Sequence, residues 1–323
     1  MAGGKGERLW PLSTEERPKQ LIPLINGKTL LDMAIERVKD ISEVIILTNS
    51  TLAKGLKVKN NVIVEPISKN TAPALIYATY LIHREYGNVL ISALPADHYI
   101  KDVETFKETL LRAYDYAKST KNIITFGIKP TYPHTGYGYI ERGEKVGDGI
   151  YRVLKFHEKP DREKAEEYVR SGRFYWNSGM FVWESGSFLE IVRETAPEMF
   201  DLLNLPMMEF FERVPDISID YAVMEKTKKI LVIEANFGWL DVGSYGSLYE
   251  VLPKDEDENA FSGKRPLSVN SRKNLVITDK TVVIVGLERV AIVEGDGIIL
   301  VLNLEKDQDV KEALKRYKST NLR

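Results

Sequence analysis

The sequence predicts an α/β protein with a mixed, mostly parallel sheet, followed by a small C-terminal β unit. Three observations carry that expectation. Short, nearly all-apolar runs alternate with amphipathic stretches over roughly the first 250 residues, as in a sheet covered on both faces. Later apolar runs recur about every eight residues, the rhythm of an all-β unit. The 323 residues are enough to bury a sizeable core without disulfide or metal staples.

Val44–Thr48, Asn61–Glu65, Val89–Leu94 and Ile123–Gly127 read as the first strands. Thr29–Asp40 reads as a helix with Leu31, Ile35 and Val38 on one face, Thr29 as N-cap and Asp32 three residues on. Thr71–Tyr86 places Leu75, Ala78, Leu81 and Ile82 together, and Pro73 falls in its first turn, where no amide hydrogen is needed. Val103–Ser119 repeats the pattern with Phe106, Leu110, Ala113 and Ala117. From Gly136 to Phe237 the texture changes. Gly138–Gly143, Tyr151–Phe156, Ser178–Trp183 and Ile230–Ile233 read as strands, with helices at Asp161–Ser171 and Ser187–Leu203. This stretch reads as an insertion that extends the sheet and walls one side of a cleft. The acidic Pro253–Glu258 marks a boundary, which divides the chain into 1–252 and 253–323. Beyond it, Leu275–Thr278, Val282–Val285, Val290–Val293 and Ile298–Leu302 are strands, and Val310, Leu314 and Tyr317 share a face of a final helix.

Composition narrows the function classes. Lys and Arg number 45 against 47 Asp and Glu, a balance that argues against a nucleic-acid partner. No apolar run is long enough to span a membrane, and Met1–Gly6 has no apolar leader region. The absence of cysteine removes disulfides, thiolate metal sites and cysteine nucleophiles together, and suits a cytoplasmic protein.

Gly3-Gly4-Lys5-Gly6-Glu7-Arg8 clusters glycines whose backbone amides can approach phosphate oxygens, with Lys5 and Arg8 adding positive charge. A dinucleotide fingerprint would need glycine where Leu9 stands, and a P-loop ending at Gly27-Lys28-Thr29 would need one at Ile22. A flexible terminus is the bland reading. Leu9-Trp10-Pro11-Leu12-Ser13 and Pro18-Lys19-Gln20 favour a phosphate site, since two cations flank a proline-pinned apolar loop. Glu65-Pro66 and Lys69-Asn70-Thr71-Ala72-Pro73-Ala74 join a strand end to a helix start, where ligands collect in α/β sheets. Glu65 can accept from a ring N–H there, or the block is an N-cap beside a solvated carboxylate. Asp97 in Leu94-Pro95-Ala96-Asp97-His98 and Asp241 in Gly238-Trp239-Leu240-Asp241-Val242-Gly243-Ser244 suit Mg²⁺ if they converge, since that ion takes few protein ligands plus phosphates. Each alone is equally a cap or turn residue. In Phe156-His157-Glu158-Lys159-Pro160, Lys159 suits a terminal phosphate and Glu158 sugar hydroxyls, or the pair is a surface turn. Asn177, within Trp176-Asn177-Ser178-Gly179-Met180-Phe181, offers a donor and an acceptor for hydroxyls, or the segment is a bulged strand. His83, His98, His134 and His157 stand singly, and only His98, beside Asp97, falls near a site.

As a set, GGKGERLWPLS…PKQ, EPISKNTAPA, LPADH, TGYGYI, FHEKP, WNSGMF, DYAVMEK and GWLDVGS resemble, in order, the motifs of the mannose-1-phosphate guanylyltransferases (GDP-mannose pyrophosphorylases) of the sugar nucleotidyltransferase family. The resemblance implies a Rossmann-like nucleotidyltransferase domain with a short C-terminal β-helix-like domain ending in a helix. It implies GTP and mannose 1-phosphate as substrates and Mg²⁺, or another divalent cation, as cofactor. Arg8, Lys19 and the amides of Gly3, Gly4 and Gly6 would then hold the triphosphate, and Asp97 and Asp241 the metal. Lys159 would hold the sugar phosphate, Gly138, Glu158 and Asn177 the hexose, and Glu65, Asn70, Thr71 and Pro73 the guanine side. No isomerase domain of the kind fused onto some relatives is expected, so one activity is. Apolar C-terminal strands suggest a homodimer contact.

One feature departs from the family pattern. Its glycine loop follows a short apolar strand, whereas only Met1 precedes Ala2-Gly3-Gly4 here. A gap in the sheet is therefore expected, with unpaired neighbouring strands and lost burial costing several kcal/mol. Two other readings stay open: a pyrophosphorylase for UTP or dTTP with glucose 1-phosphate, and a non-catalytic sugar-nucleotide-sensing subunit on the same fold. Arg8, Lys19, Asp97, Lys159 and Asp241 together argue against the second.

Overall fold

The computed structural model describes residues 1–4, 6–56 and 61–320. Strands β1 (Ile46–Asn49) and β2 (Val62–Glu65) pair in parallel. After them come β3 (Leu90–Ala93), β4 (His98–Ile100), β5 (Ile123–Ile128), β6 (Tyr139–Gly147), β7 (Ile150–His157), β8 (Phe174–Glu184), β9 (Ile230–Ala235) and β10 (Trp239–Asp241). The main sheet has the order β3–β8–β5–β9–β7–β6, and β4 pairs separately with β10.

The sheet is mixed, as expected, with more antiparallel pairing than expected. β9 is parallel to β5, while β8 lies between β3 and β5 and runs against both. The β6–β7 hairpin adds a further antiparallel pair. β8 can sit inside the sheet because Phe181, Val182 and Trp183 are consecutive and all buried, so both faces are covered. The insertion therefore threads a return strand through the parallel set as well as extending it.

Three helices position the site. α1 (Leu30–Val38) starts with a capping box between Thr29 and Asp32, a cap worth about 1 kcal/mol. α2 (Thr71–Tyr86) and α3 (Val103–Thr120) occupy the expected spans. The expected helix Ser187–Leu203 is instead two, Ser185–Thr195 and Pro197–Phe200. Pro197 has no amide hydrogen to continue the first helix and starts the second.

β1 and β3 are not paired with each other among the described residues. Met1 and Ala2 bridge their ends: Ala2 N–H donates to Leu47 O (2.8 Å), Ala96 N–H donates to Met1 O (2.9 Å), and the Met1 ammonium donates to Leu94 O (2.9 Å). A cavity of about 330 Å³ lies between the two strands, lined among others by Leu31 and Ile35 of α1 and Leu75 and Ala78 of α2.

The C-terminal unit contains β11 (Ala260–Gly263), β12 (Leu267–Val269), β13 (Leu275–Thr278), β14 (Val283–Val285), β15 (Val290–Gly295) and β16 (Ile298–Asn303). β11, β13 and β15 stack in parallel, as do β12 and β14, which is the coil-on-coil arrangement of a β-helix. Helix Val310–Ser319 follows. Leu9, Leu12 and Leu24 from the start of the chain pack in one cluster with Tyr245 and Leu248 and with Leu275 and Val293. The loop after the glycines and the C-terminal unit thus share a core. No described helix is long and apolar enough to cross a membrane.

Candidate active site

The glycine-rich loop is fastened to the end of β1. The Thr48 hydroxyl donates to Ala2 O (2.6 Å), and Asn49 Nδ2 donates to Gly3 O (3.3 Å). Lys5 lies outside the described residues. Gly6 has φ +66°, and a Cβ there would stand 3.0 Å from Lys19 Cβ, so backbone conformation and space both require glycine. The chain then enters a short 3-10 turn, Glu7–Leu9, that presents Arg8.

Two acidic residues distant in sequence meet because β4 and β10 pair. Their register sets Asp241 opposite His98, next to Asp97, and Val242 N–H donates to Asp97 O (3.1 Å). Ligand atoms of Asp97, His98 and Asp241 lie within 4.8 Å of one another. Lys19 Nζ stands 2.6 Å from Asp97 Oδ2, a largely buried ion pair. Burial alone would raise the Asp97 carboxyl, but the Lys19 ammonium beside it, with a smaller contribution from His98, holds it below its ordinary value. Burial lowers His98, despite the nearby Asp97 and Asp241, so its ring is neutral. Its Nδ1 accepts from the Trp239 indole N–H (3.1 Å), which leaves the ring proton on Nε2. That nitrogen has no lone pair free for a cation. Of the three, the two carboxylates fit a hard divalent ion, and His98 ties β4 to Trp239 of β10.

Arg8 reaches the same place. A Cβ on Gly243 would lie 2.8 Å from Arg8 Nη2 and 3.5 Å from Asp241 Oδ1, so this glycine makes room for the guanidinium beside the carboxylate. Arg8 Nη1 also donates to Gln308 Oε1 (3.3 Å), a contact from the C-terminal unit.

Gly138, Glu158 and Asn177 form a second group. A Cβ on Gly138 would stand 3.1 Å from Glu158 Oε2 and 3.6 Å from Asn177 Cβ, and Asn177 N–H donates to Gly138 O (2.8 Å). Lys159 Nζ lies 3.2 Å from Glu158 Oε1 with its side chain 65% exposed. Its φ is +38°, an uncommon backbone for lysine and of the kind stored at functional sites. Tyr137 joins the two groups. Its ring lies 5.2 Å from that of Trp239, and its phenol is held neutral by burial and by the Asp241 charge. Pro95 also touches the position of a Cβ on Gly179, so β8 passes beside the Asp97 loop.

The guanine-side candidates divide. Glu65 is buried next to Gly3, and burial raises its carboxyl despite a hydrogen bond from Ser68. Asn70 caps α2 through Thr71 N–H (2.9 Å), Thr71 Oγ1 accepts from Ile219 N–H (2.9 Å), and Pro73 is buried in the first turn. These three residues serve the start of α2 and its link to Ile219. Sequence reasoning assigned no role to Tyr137, Gly243, Gln20 or Asp220. Gln20 is buried against Gly4, and its Oε1 has no hydrogen-bond partner among the described residues. Only the motif blocks TGYGYI, PKQ, GWLDVGS and DYAVMEK could have signalled them.

A glycine loop with two cations, facing a pair of carboxylates at the ends of β strands, defines an enzyme that handles nucleotide phosphates. The family model described as nucleotidyl transferase matches residues 1–258, and the chain belongs to that family. It is 38% identical to a mannose-1-phosphate guanylyltransferase of Klebsiella pneumoniae, over 98% of this chain and 73% of that one. A protein of the same name from Escherichia coli is also 38% identical, with the same coverage. A crystal structure titled mannose-1-phosphate geranyltransferase, from Thermus thermophilus, superposes with TM-score 0.90 at 32% identity, covering 98% of this chain and 97% of that one.

Proposed function

We propose that the protein transfers GMP from GTP to α-D-mannose 1-phosphate, giving GDP-mannose and pyrophosphate. The observation that carries the reading is the convergence of Lys19, Asp97 and Asp241, with Arg8 beside Gly243, while Tyr137 packs on Trp239 next to Asp241 and is followed directly by Gly138 of the group with Glu158 and Asn177. Relatives named for this activity align along almost the whole chain.

The attacking phosphate oxygen is already ionised near neutral pH, since a phosphomonoester's second pKa is about 6. No protein base is required, which suits a site whose central histidine has no free lone pair on either ring nitrogen. The obstacle is charge: an anion must approach a triphosphate in line, so alignment and neutralisation dominate. Gly3, Gly4 and Gly6 offer backbone amides, and Arg8 and Lys19 positive charge, to the triphosphate and the departing pyrophosphate. Lys159 holds the sugar phosphate; Glu158, Asn177 and the Gly138 backbone meet the hexose hydroxyls. Glu65 accepts from the guanine, and Asn70, Thr71 and Pro73 at the start of α2 line the same side. Asp97 and Asp241 hold Mg²⁺ or a similar cation, which when bound screens the phosphate charge.

In this reading residues 1–252 carry the chemistry, 253–323 brace it, and the reaction runs in the cytoplasm. Leu267 beside Val283 and Val269 beside Val285 leave an apolar ladder exposed, which suits a second copy of the chain. Sedimentation of wild type against Val283→Lys tests that, with a monomeric wild type as the negative result. Pyrophosphate release across a matrix of NTPs and sugar 1-phosphates, with and without Mg²⁺, tests the activity. GTP with mannose 1-phosphate should give the highest kcat/KM. A preference for UTP or dTTP with glucose 1-phosphate would reassign the substrates, and no release with any pair would leave only the sensing role.

A further inference from the structure

Asp220 lies in the DYAVMEK block, in a π-helical turn spanning Asp220–Met224. The segment before it is clamped to the start of α2. Ile219 N–H donates to Thr71 Oγ1 (2.9 Å), and Ala72 N–H donates to Ile217 O (3.2 Å). The helix start thereby fixes where the Asp220 carboxylate stands. Asn177 Nδ2 donates to Asp220 Oδ1 (2.8 Å), and Asn177 Oδ1 accepts from Gly179 N–H (3.0 Å). Both contacts demand the same orientation of the Asn177 amide. Among the described residues one amide hydrogen of Nδ2 is left uncommitted, beside Gly138 and Glu158.

Asn177 is the only side-chain hydrogen-bond partner of Asp220 among the described residues. Burial raises the Asp220 carboxyl and Glu158 raises it further, while the Asn177 amide and Lys159 oppose the rise. Its side-chain partner is thus a residue of the proposed hexose group.

We infer that Asp220 is a positioning residue for hexose recognition: it locks Asn177 so that one N–H donor, with the Glu158 acceptor opposite, faces the sugar hydroxyls. This inference rests on the proposed function and adds to it the source of discrimination between hexose 1-phosphates. Thr71 enters the same device from behind by holding the turn that carries Asp220.

Steady-state kinetics of Asp220→Ala, with mannose 1-phosphate, glucose 1-phosphate and GTP each varied in turn, provides the test. KM for mannose 1-phosphate should rise roughly tenfold, the scale of one hydrogen bond to a charged group, with KM for GTP within about twofold of wild type. The kcat/KM preference for mannose over glucose 1-phosphate should fall by a similar factor. Asp220→Asn, whose own carbonyl can accept the Asn177 N–H, should recover most of both. Equal shifts in both KM values, an unchanged preference, or equal damage from Ala and Asn would overturn the role. If Asp220→Ala does not fold, the Asp220→Asn/Asn177→Asp double variant decides. It keeps the bond in reverse but has no free N–H at position 177, so an unchanged KM for mannose 1-phosphate would overturn the inference. A wild type that makes no GDP-mannose sinks the proposed function itself, whereas an active wild type with an indifferent Asp220 sinks this inference alone.

Discussion

Lys159 and Gly243 show two ways in which a residue can matter at this site. Lys159 holds a left-handed backbone conformation that a lysine does not adopt for free, and it leaves its ammonium open to solvent beside Glu158. In the proposed reading, Lys159→Ala removes a point charge from the sugar-phosphate end alone. It should raise KM for mannose 1-phosphate by roughly tenfold or more, while KM for GTP stays within about twofold. Parallel titrations of both substrates check this, and similar rises in both would remove the assignment. Gly243 acts by being small. Gly243→Ala places a methyl group 2.8 Å from Arg8 Nη2, closer than atoms stand without one of them moving. Arg8 is the far end of a flexible side chain, so the fold should survive while the guanidinium shifts. The expected signature is the inverse of the Lys159 one: KM for GTP rises several-fold, KM for mannose 1-phosphate holds, and the melting temperature changes little. The charged candidates were legible in the sequence because charge beside glycine or at a strand end is a local signal. Gly243 and Tyr137 were not, because their importance is a distance to residues far away in the chain.

At the scale of elements, apolar runs and caps announced most strands and helices to within a few residues. α2 begins and ends where its periodicity and Pro73 place it. The direction of β8 was beyond local reading, since an all-apolar run says that a strand is buried and not which way it runs. The short strands β11 and β12 escaped because Ala260–Gly263 and Leu267–Val269 are too brief to show a period.

The whole molecule behaves as one piece because the C-terminal unit closes over the loop that carries the cations. The Trp10 and Tyr317 rings lie 5.1 Å apart, Lys318 pairs with Glu15 at 3.0 Å, and Asp307 accepts from Gly246 N–H at 3.1 Å. Gly295 lies close against Pro11. A Cβ at Gly295 would fall 2.5 Å from Pro11 O and 2.7 Å from Pro11 C, both of them backbone. Gly295→Ala must therefore push the loop or lift the C-terminal unit, and neither is a flexible side chain that can swing aside. Overpacking of this kind costs about 1–3 kcal/mol, so the melting temperature should fall. Because Arg8 lies three residues before Pro11 and leans on Gln308, the same displacement should also raise KM for GTP. The proposed sugar-phosphate group lies on other elements, so KM for mannose 1-phosphate should be spared. Calorimetry and kinetics on one preparation separate the two possibilities. A lower melting temperature with both KM values unchanged would mean that the unit supports the fold without positioning Arg8. A lower melting temperature together with a GTP-specific defect would mean that bracing the phosphate loop is what couples the C-terminal unit to catalysis.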